Sequence, residues 1–331
     1  MTAEPIIEAR ELRKWYSLRK GPFATLLGRA APRHLKAVDG VSIAIAAGEV
    51  LGLAGESGSG KSTTGMTLLK LHEPTSGEIR FQGIGLLADE DRRTRLAFRR
   101  QAQIVFQNPY EALNPRYTVA QSVREPIAIH FPGDPEAQRE KLVRAMVRAG
   151  LTPIETYLDR YPHQLSGGQL QRIAIARAIS VEPRFLVADE PVSMLDVSIR
   201  AGILNLLHYF ATELDMAVLY ISHDLSTMRH VCTTVAVMYL GRIIEMGPAD
   251  QVLDQPHHPY AQALVAAVPV MGGRAKRSRT QLAGAVPNPS DLPTGCRFHP
   301  RCPKAMARCR ESEPVLTPVG RAHQVACHLY D

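Results

Sequence analysis

The 331-residue sequence predicts an α/β protein built around a mostly parallel sheet, and two observations support that prediction. Short apolar runs typical of buried strands occur at 50–54, 185–188 and 217–221. They alternate with longer stretches of helical periodicity, among them 135–150 and 197–214. Strands that alternate with helices in this way are typical of parallel sheets with helical crossovers.

Individual segments support this reading. Residues 41–46 alternate apolar with small or polar side chains, the pattern of a half-buried strand. Residues 135–150 place Leu142, Met146 and Ala149 on one helical face, and Gly150 is a plausible C-cap. The other predicted elements are a strand over 6–12 and helices over 62–71 and 169–181.

Composition divides the chain into a nearly neutral body and a basic tail. The formal net charge is +7, from 39 Lys+Arg and 32 Asp+Glu. Residues 1–270 hold 29 basic and 28 acidic side chains, whereas 271–331 hold 10 and 4, together with four of the five cysteines. A body without excess charge disfavours a protein that coats nucleic acid. A domain boundary is expected near 250–275, with Gly272-Gly273-Arg274 as a linker.

The compartment is predicted from what the sequence lacks. No apolar run approaches the roughly 18–20 residues of a membrane span, and the first residues do not form a signal peptide. We therefore expect a protein made and kept in the cytoplasm. Clustered cysteines there more often mean metal or redox chemistry than disulfides.

A phosphate-binding loop follows the strand at 50–54. Residues 55–62 read Gly-Glu-Ser-Gly-Ser-Gly-Lys-Ser and fit the pattern G-x-x-x-x-G-K-[ST]. Its glycines let backbone N–H groups turn toward a phosphate, Lys61 reaches the β/γ-phosphates, and Ser62 is placed for Mg²⁺. The predicted nucleotide contacts are Gly55, Glu56, Ser57, Gly58, Ser59, Gly60, Lys61, Ser62 and Thr63.

An acidic pair ends the strand at 185–188. Asp189 is the expected metal-side carboxylate of a P-loop enzyme, and Glu190 follows where it could accept a proton from an attacking water. Such a pair alone could equally well cap a strand. Together with the P-loop, it predicts nucleotide hydrolysis.

A second phosphate-facing feature lies about twenty residues earlier. Leu165-Ser166-Gly167-Gly168-Gln169 opens a helix with two glycines, which would place a helix N-terminus toward another anion. One mononucleotide site needs a single such cradle. The second is therefore expected to complete a site on another subunit.

With these residues in place, the sequence resembles the ATP-binding subunits of ABC transporters over nearly its whole length. The resemblance also covers the glutamine loop at Gln107, the D-loop at Ser193–Asp196 and the switch histidine His223, with Met194 where Ala is more usual. It implies a P-loop NTPase core with an antiparallel β subdomain, a helical subdomain over about 108–175, and a small C-terminal extension that contains cysteines.

The resemblance also implies roles for these residues. The catalytic set is Glu190, His223, Lys61 and Gln107. The magnesium ligands are Ser62, Gln107 and Asp189. The nucleotide is also contacted by Ser166, Gly167, Gly168, Gln169 and Asp196. Tyr16 is expected to stack on adenine, with neighbouring Trp15 as the alternative.

Three further segments resemble the dipeptide/oligopeptide/nickel importer subfamily: Asn108–Arg116, Tyr161–Gln164 and His258–Leu264. The insertion over 20–35 is most similar to the second ATPase of dipeptide importers. The resemblance implies an ABC ATPase domain over 1–250 and an extension over 251–331. It also implies a second ATPase subunit, two permeases and an extracytoplasmic binding protein as partners, at the cytoplasmic face of the plasma membrane.

The tail cysteines Cys296, Cys302, Cys309 and Cys327 lack the tight C-x₂₋₄-C pairs of structural zinc sites. Looser loops suit an iron–sulfur cluster, expected as [4Fe–4S], and the resemblance associates such a cluster with this tail. Zinc and free thiols stay open as alternatives. Cys232 is expected to be a packed core residue.

Several functional alternatives stay open. The cargo could be dipeptides, longer peptides, glutathione, haem or nickel, and the ATPase pair could be a heterodimer or a homodimer. A non-transport ABC ATPase acting on nucleic acid is disfavoured, because the chain has one cassette and no long coiled-coil insertion. No specific nucleic acid partner is expected, although the basic tail could attract phosphates weakly.

Overall fold

A computed structural model describes residues 4–18, 33–86, 91–268 and 287–331. The predicted linker at 272–274 and most of the insertion over 20–35 lie outside the described residues. The chain divides into two compact units. Unit 1 comprises Met1–Ile7, Ala44–Leu51 and Phe81–Ile221. Unit 2 comprises Glu8–Ile43, Gly52–Arg80 and Ser222–Asp331.

The elements are numbered in chain order. The strands are β1 (Pro5–Leu18), β2 (Arg33–Ala46), β3 (Val50–Ala54), β4 (Ser76–Phe81), β5 (Ile84–Gly85), β6 (Ala102–Val105), β7 (Phe185–Asp189), β8 (Ala217–Ser222), β9 (Thr234–Tyr239), β10 (Arg242–Pro248), β11 (Thr317–Gly320) and β12 (His323–Val325). The helices are α1 (Lys61–Leu68), α2 (Arg92–Gln101), α3 (Pro109–Ala112), α4 (Val119–His130), α5 (Pro135–Arg148), α6 (Glu155–Leu158), α7 (Gly167–Ile179), α8 (Val197–Thr212), α9 (Leu225–Val231), α10 (Ala249–Asp254), α11 (Pro259–Ala267) and α12 (Arg308–Glu311).

Unit 1 contains the predicted parallel sheet. Strands β6, β7 and β8 run parallel, with Ala102 opposite Phe185 and Phe185 opposite Ala217. Within this unit the first residues of β3 lie beside β8. Every residue of β7 and β8 is buried, and both strands are apolar up to their last residues, as is typical of strands covered on both faces. Helices α4, α5 and α7 pack against one another in the same unit.

Unit 2 is organised around antiparallel strands. β9 pairs with β10, β10 with β12 and β12 with β11. The two short strands at the end of the chain therefore extend the antiparallel ribbon that β9 and β10 begin. The last residues of β3 lie beside β9, and β1 lies between β2 and β4. Helices α10 and α11 follow β10 directly.

The predicted elements are present, with shifted ends. The strand predicted over 50–54 matches β3, and the buried face predicted for α5 is buried. The helix predicted over 62–71 ends early, at Leu68, where Lys70 takes a positive φ of 52°. The helix predicted from 169 begins at Gly167, because Ser166 caps it.

Candidate functional site

The P-loop in unit 2 lies between β3 and α1 and depends on glycine geometry. Gly60 has a φ of 105°, in the region that disfavours other residues, and a Cβ there would overlap the carbonyl oxygen of Ala37. The turn between β9 and β10 also holds the loop, since the Gly241 N–H donates to the Ser59 carbonyl at 2.8 Å. The loop conformation therefore depends on Gly60 and on the hydrogen bond from Gly241.

Lys61 lies inside this loop with a residue exposure of 5%. Its Nζ donates to the carbonyl oxygens of Gly55 at 2.8 Å and Glu56 at 2.9 Å. Ser57, Gly58 and Ser62 are exposed at the same loop. The ammonium group and the exposed loop backbone suit a phosphate chain.

Glu56 is joined to the C-terminal part of the chain, which sequence reasoning did not foresee. Its backbone N–H donates to the Tyr260 hydroxyl at 2.8 Å. Its carboxylate accepts two hydrogen bonds from Arg301, at 2.7 and 3.1 Å, and this pairing raises the pKa of Arg301. The only sequence signal was the segment beginning His258-Pro259-Tyr260, which marked the subfamily but suggested no contact.

A second ion pair, in which both side chains are buried, joins the tail to β2. Arg297 donates to the Leu240 carbonyl at 2.5 Å and to the Asp39 carboxylate. Burial raises the pKa of Asp39, but the hydrogen bond and charge of Arg297 outweigh it, so the pKa lies below its usual range.

The two candidate adenine-stacking residues lie next to each other in β1. The Trp15 Nε1–H donates to Asp39 at 3.0 Å, and the Lys36 ammonium lies 4.6 Å from the Trp15 ring centroid. Tyr16 is half-buried, with its ring edge-on to His72 at 6.1 Å. The Lys14 ammonium lies 5.0 Å from the Tyr16 ring centroid, so both aromatic residues have side-chain partners, and adenine stacking by Tyr16 stays a prediction.

Unit 1 carries the acidic pair at the end of β7. Asp189 is buried, with 6% of its surface exposed, and Glu190 has a positive φ of 45°. The Glu190 N–H donates to the Ile221 carbonyl at 2.9 Å, and the Gln107 Nε2–H donates to Glu190 Oε2 at 3.0 Å. The fold therefore brings together two predicted catalytic residues that are 83 positions apart.

The signature segment begins α7 through a capping box. The Ser166 hydroxyl accepts from the Gln169 N–H, and the Gln169 side chain accepts from the Ser166 N–H at 3.0 Å. Ser166 and Gly167 are exposed, so this helix N-terminus faces outward from unit 1. Asp196, also exposed, occupies the N-cap position of α8. His223 is exposed directly after β8.

The four tail cysteines lie near one another in unit 2. The Cys296 N–H donates to the Cys309 carbonyl at 2.8 Å, and the pKa of Cys296 is raised to about 11 by burial and by the other three sulfurs. Burial also raises the pKa of Cys302 and of Cys327. Three sulfurs accept a backbone N–H from two residues further on; the donors are Phe298, Lys304 and Leu329.

This arrangement does not resemble a closed zinc site. Within the part of the chain that the structure describes, the one His/Cys/Asp/Glu group with ligand atoms all within 4.8 Å of one another is Glu245, His257 and His323. Its carboxylate already accepts the backbone N–H groups of His257 and His258 and lies 2.8 Å from the His323 ring nitrogen. The Glu245 carboxylate is therefore fully engaged within the protein, whereas His257 Nδ1 is buried without a hydrogen-bond partner among the described residues. Cys232 is buried, as predicted, and burial raises its pKa.

Comparison with known proteins agrees with this geometry. Residues 38–193 match the family described as ABC transporter, and residues 244–309 match the oligopeptide/dipeptide transporter C-terminal region. The oligopeptide transport ATP-binding protein AppF of Bacillus subtilis is 44% identical over 99% of this chain and 98% of its own length. The chain belongs to the ABC transporter ATP-binding subunits of the dipeptide/oligopeptide importer family.

Two further matches extend this result. The dipeptide transport ATP-binding protein DppF of Haemophilus influenzae is also 44% identical, over 99% of this chain and 97% of its own. The ATP-binding cassette MJ0796, solved as a dimer bound to ADP and Pi, is 28% identical with a TM-score of 0.62, over 73% of this chain and 98% of its own. The predicted ABC ATPase fold and ATPase activity are thereby confirmed.

Among the described residues, no helix combines the length and the apolar character that a membrane crossing requires.

Proposed function

We propose that this ABC ATPase energises the import of peptides of the dipeptide or oligopeptide type. The observation that carries the proposal is the match of residues 244–309 to the oligopeptide/dipeptide transporter C-terminal region, joined to similarity along the whole chain with proteins named for peptide transport. Nickel, glutathione and haem are the alternative cargoes. In this proposal residues 1–250 form the ATP-binding cassette, which contains a helical subdomain at about 108–175. Residues 251–331 form the C-terminal extension.

The residues of unit 1 have the following roles. Gln107 and Asp189 are magnesium ligands, and Glu190 polarises the attacking water, a role that its hydrogen bond to the Gln107 amide helps to orient. The N-terminus of α7, with Ser166–Gln169, and Asp196 act on a nucleotide held by a second ATPase subunit. Bound Mg²⁺ would neutralise charge on the β- and γ-phosphates.

In unit 2, the backbone of residues 55–63 and Lys61 bind the phosphates, and Ser62 supplies a hydroxyl to magnesium. Tyr16 stacks on the adenine ring. His223 donates a hydrogen bond to the γ-phosphate, which imidazole can do in either protonation state. Hydrolysis therefore proceeds by positioning and electrostatic stabilisation, without a covalent intermediate.

The partners are a second ABC ATPase, expected as a heterodimer with a homodimer as the alternative, two permeases and an extracytoplasmic binding protein. Support for an ATPase partner comes from Met194 in the D-loop and Val197 at the start of α8, which are 66% and 77% exposed although both are apolar. The chain lies at the cytoplasmic face of the cell membrane through its permeases. A nucleic acid partner is not part of this proposal.

Reconstitution tests the cargo. The proposed permeases, second ATPase and binding protein would be assembled with this chain in proteoliposomes, and ATP-driven uptake of labelled dipeptide, nickel and glutathione would be compared. Dipeptide uptake that the Glu190→Gln variant cannot support would agree with the proposal. Uptake of nickel or glutathione alone would reassign the cargo.

The four tail cysteines are proposed as ligands of an iron–sulfur cluster of the [4Fe–4S] type. Support comes from four thiols within electrostatic range of one another and from the N–H donors to three sulfurs, since such hydrogen bonds stabilise thiolate ligands. Protein purified without oxygen should contain iron near four per chain and lose it in Cys309→Ser but not in Cys232→Ala. Colourless, iron-free wild-type protein would overturn this assignment.

A further inference from the structure

Glu56, the second residue of the P-loop, is held at three points. Its backbone N–H donates to the Tyr260 hydroxyl at 2.8 Å. Its carboxylate accepts from both terminal nitrogens of Arg301. Its carbonyl oxygen accepts from Lys61 Nζ at 2.9 Å. Tyr260 and Arg301 lie 204 and 245 positions further along the chain, so the C-terminal extension reaches the phosphate loop directly.

The two distant partners are themselves fixed. Tyr260 has no exposed surface, and the Arg301 side chain is 6% exposed. The ring centroids of Tyr239 and Tyr260 are 4.7 Å apart. The Cζ of the Arg301 guanidinium lies 5.9 Å from the Tyr239 centroid. The Glu56 side chain is 28% exposed, so it is the paired hydrogen bonds to the buried guanidinium of Arg301 that hold this ion pair in one geometry. Surface ion pairs lack this constraint.

We propose that Arg301 and Tyr260 are positioning residues for nucleotide binding, which act through Glu56 on the P-loop. The peptide groups on both sides of Glu56 are tied, one through its N–H and the other through its carbonyl. Rotation of either peptide group would change the direction of the loop's backbone N–H groups and, at the same time, the position of the carbonyl oxygens that accept from Lys61. Phosphate affinity depends on these groups being aimed in advance, so loosening Glu56 reduces the population of loops competent to bind ATP.

Nucleotide affinity in the intact chain tests this directly. The dissociation constant for a fluorescent ATP analogue with Mg²⁺ would be measured for Arg301→Met, Glu56→Gln and the double variant. Each single variant should weaken binding on the order of tenfold, and the double variant should be no weaker than either, because both remove one interaction. Arg301→Lys, which keeps the charge but not the paired donors, should restore part of the affinity.

The matched control is Arg310→Met, because Arg310 is an exposed arginine of the same segment. It should leave affinity unchanged. Where the intact transporter gives turnover, Arg301→Met should raise KM while kcat at saturating ATP stays within about twofold, since the lost interaction acts on binding.

Two results would overturn the proposal. One is an Arg301→Met protein with a lower melting temperature and wild-type ATP affinity, which would make the contact purely structural. The other is strictly additive losses for Arg301→Met and Glu56→Gln. Should Arg301→Met fail to fold, Tyr260→Phe removes a single hydroxyl and is expected to weaken binding about threefold. Unchanged affinity in Tyr260→Phe would then refute the positioning role.

Discussion

The two units hold their candidate site residues in different ways. In unit 1, the Gln107–Glu190 contact is one hydrogen bond whose donor residue is exposed, at the end of a buried parallel sheet. In unit 2, the P-loop residue Glu56 is paired with an arginine whose side chain is 6% exposed and which comes from the last tenth or so of the chain. Strand ends place the first group, and a distant segment holds the second.

The exposure of their ion pairs indicates how strongly the stability of each unit depends on polar contacts. Ion pairs in unit 1, such as Arg177–Glu125, have side chains 32% and 41% exposed. The Arg297–Asp39 pair of unit 2 has side chains 8% and 5% exposed. Exposed pairs contribute little to stability, whereas breaking a buried pair leaves an uncompensated charge. Stability should therefore depend more on the polar contacts of the C-terminal extension than on those of the helical region.

The largest effect is expected in unit 1, on chemistry alone. Glu190→Gln should lower hydrolysis by about 10²–10⁴-fold, because a carboxamide cannot accept a proton from water, while ATP binding persists. Single-turnover hydrolysis and equilibrium binding would be measured side by side, with exposed Glu213→Gln as the control. Near-normal turnover would remove Glu190 from the proposed role.

Breaking the buried pair of unit 2 should have the next largest effect. Arg297→Met should lower the free energy of unfolding by up to about 3–5 kcal/mol. Asp39 would stay buried with only the longer contacts to Arg13 at 3.7 Å and Lys36 at 3.9 Å and the hydrogen bond from Trp15. Arg177→Met in unit 1 is the control and should cost about 1 kcal/mol or less. Urea denaturation measures both, and equal losses would erase the contrast between the units.

Lys61→Ala tests the P-loop itself and should act on binding. Loss of its ammonium group should weaken ATP affinity by about tenfold to a hundredfold, from the loss of a hydrogen bond to a charged group. Isothermal titration of the intact chain gives the constant. Unaltered affinity would contradict the P-loop assignment, and exposed Lys304→Ala should bind as wild type.

The smallest effect, taken per pH unit, concerns the acid stability of unit 2. Burial lowers the pKa of His258 to about 3, and its Nδ1 accepts the Tyr260 N–H. Because the unfolded state takes up a proton below about pH 6.5 and the folded state does not, this residue makes stability fall with acidification by at most about 1.4 kcal/mol per pH unit.

His258→Asn keeps a side-chain acceptor at this N-cap without the titration. Its stability should therefore fall less steeply between pH 6.5 and 4 than that of the wild type, as followed by urea denaturation at a series of pH values. His208→Asn, at an exposed position, is the control. Parallel curves for His258→Asn and wild type would show that another group carries the acid sensitivity.

Sequence reasoning succeeded where function is encoded locally. The strand, loop and helix around 50–68 follow from apolar runs and glycines within one short segment. The capping box at Ser166 and the acidic pair at 189–190 are likewise readable from neighbouring residues. The family resemblance implied separate site roles for Gln107 and Glu190, and the fold brings the Gln107 Nε2 to 3.0 Å from Glu190 Oε2.

Sequence reasoning failed where one residue meets another far along the chain. Arg301 is a lone arginine before Cys302 and has no pattern that predicts an ion pair with Glu56. Asp39 similarly lacks any local signal for Arg297. Such pairs depend on how β10, β12 and the tail fold back in unit 2. From charge alone, either arginine could pair with many other carboxylates of the chain.

The amino-acid sequence by itself determined the nucleotide chemistry, the order of strands and helices, and the family, because each rests on short segments whose backbone geometry their own residues dictate. The tertiary structure alone shows which contacts hold the P-loop in place and that Trp15, unlike Tyr16, donates a hydrogen bond to Asp39. The physical reason is that burial and long-range ion pairing arise when distant segments exclude water together.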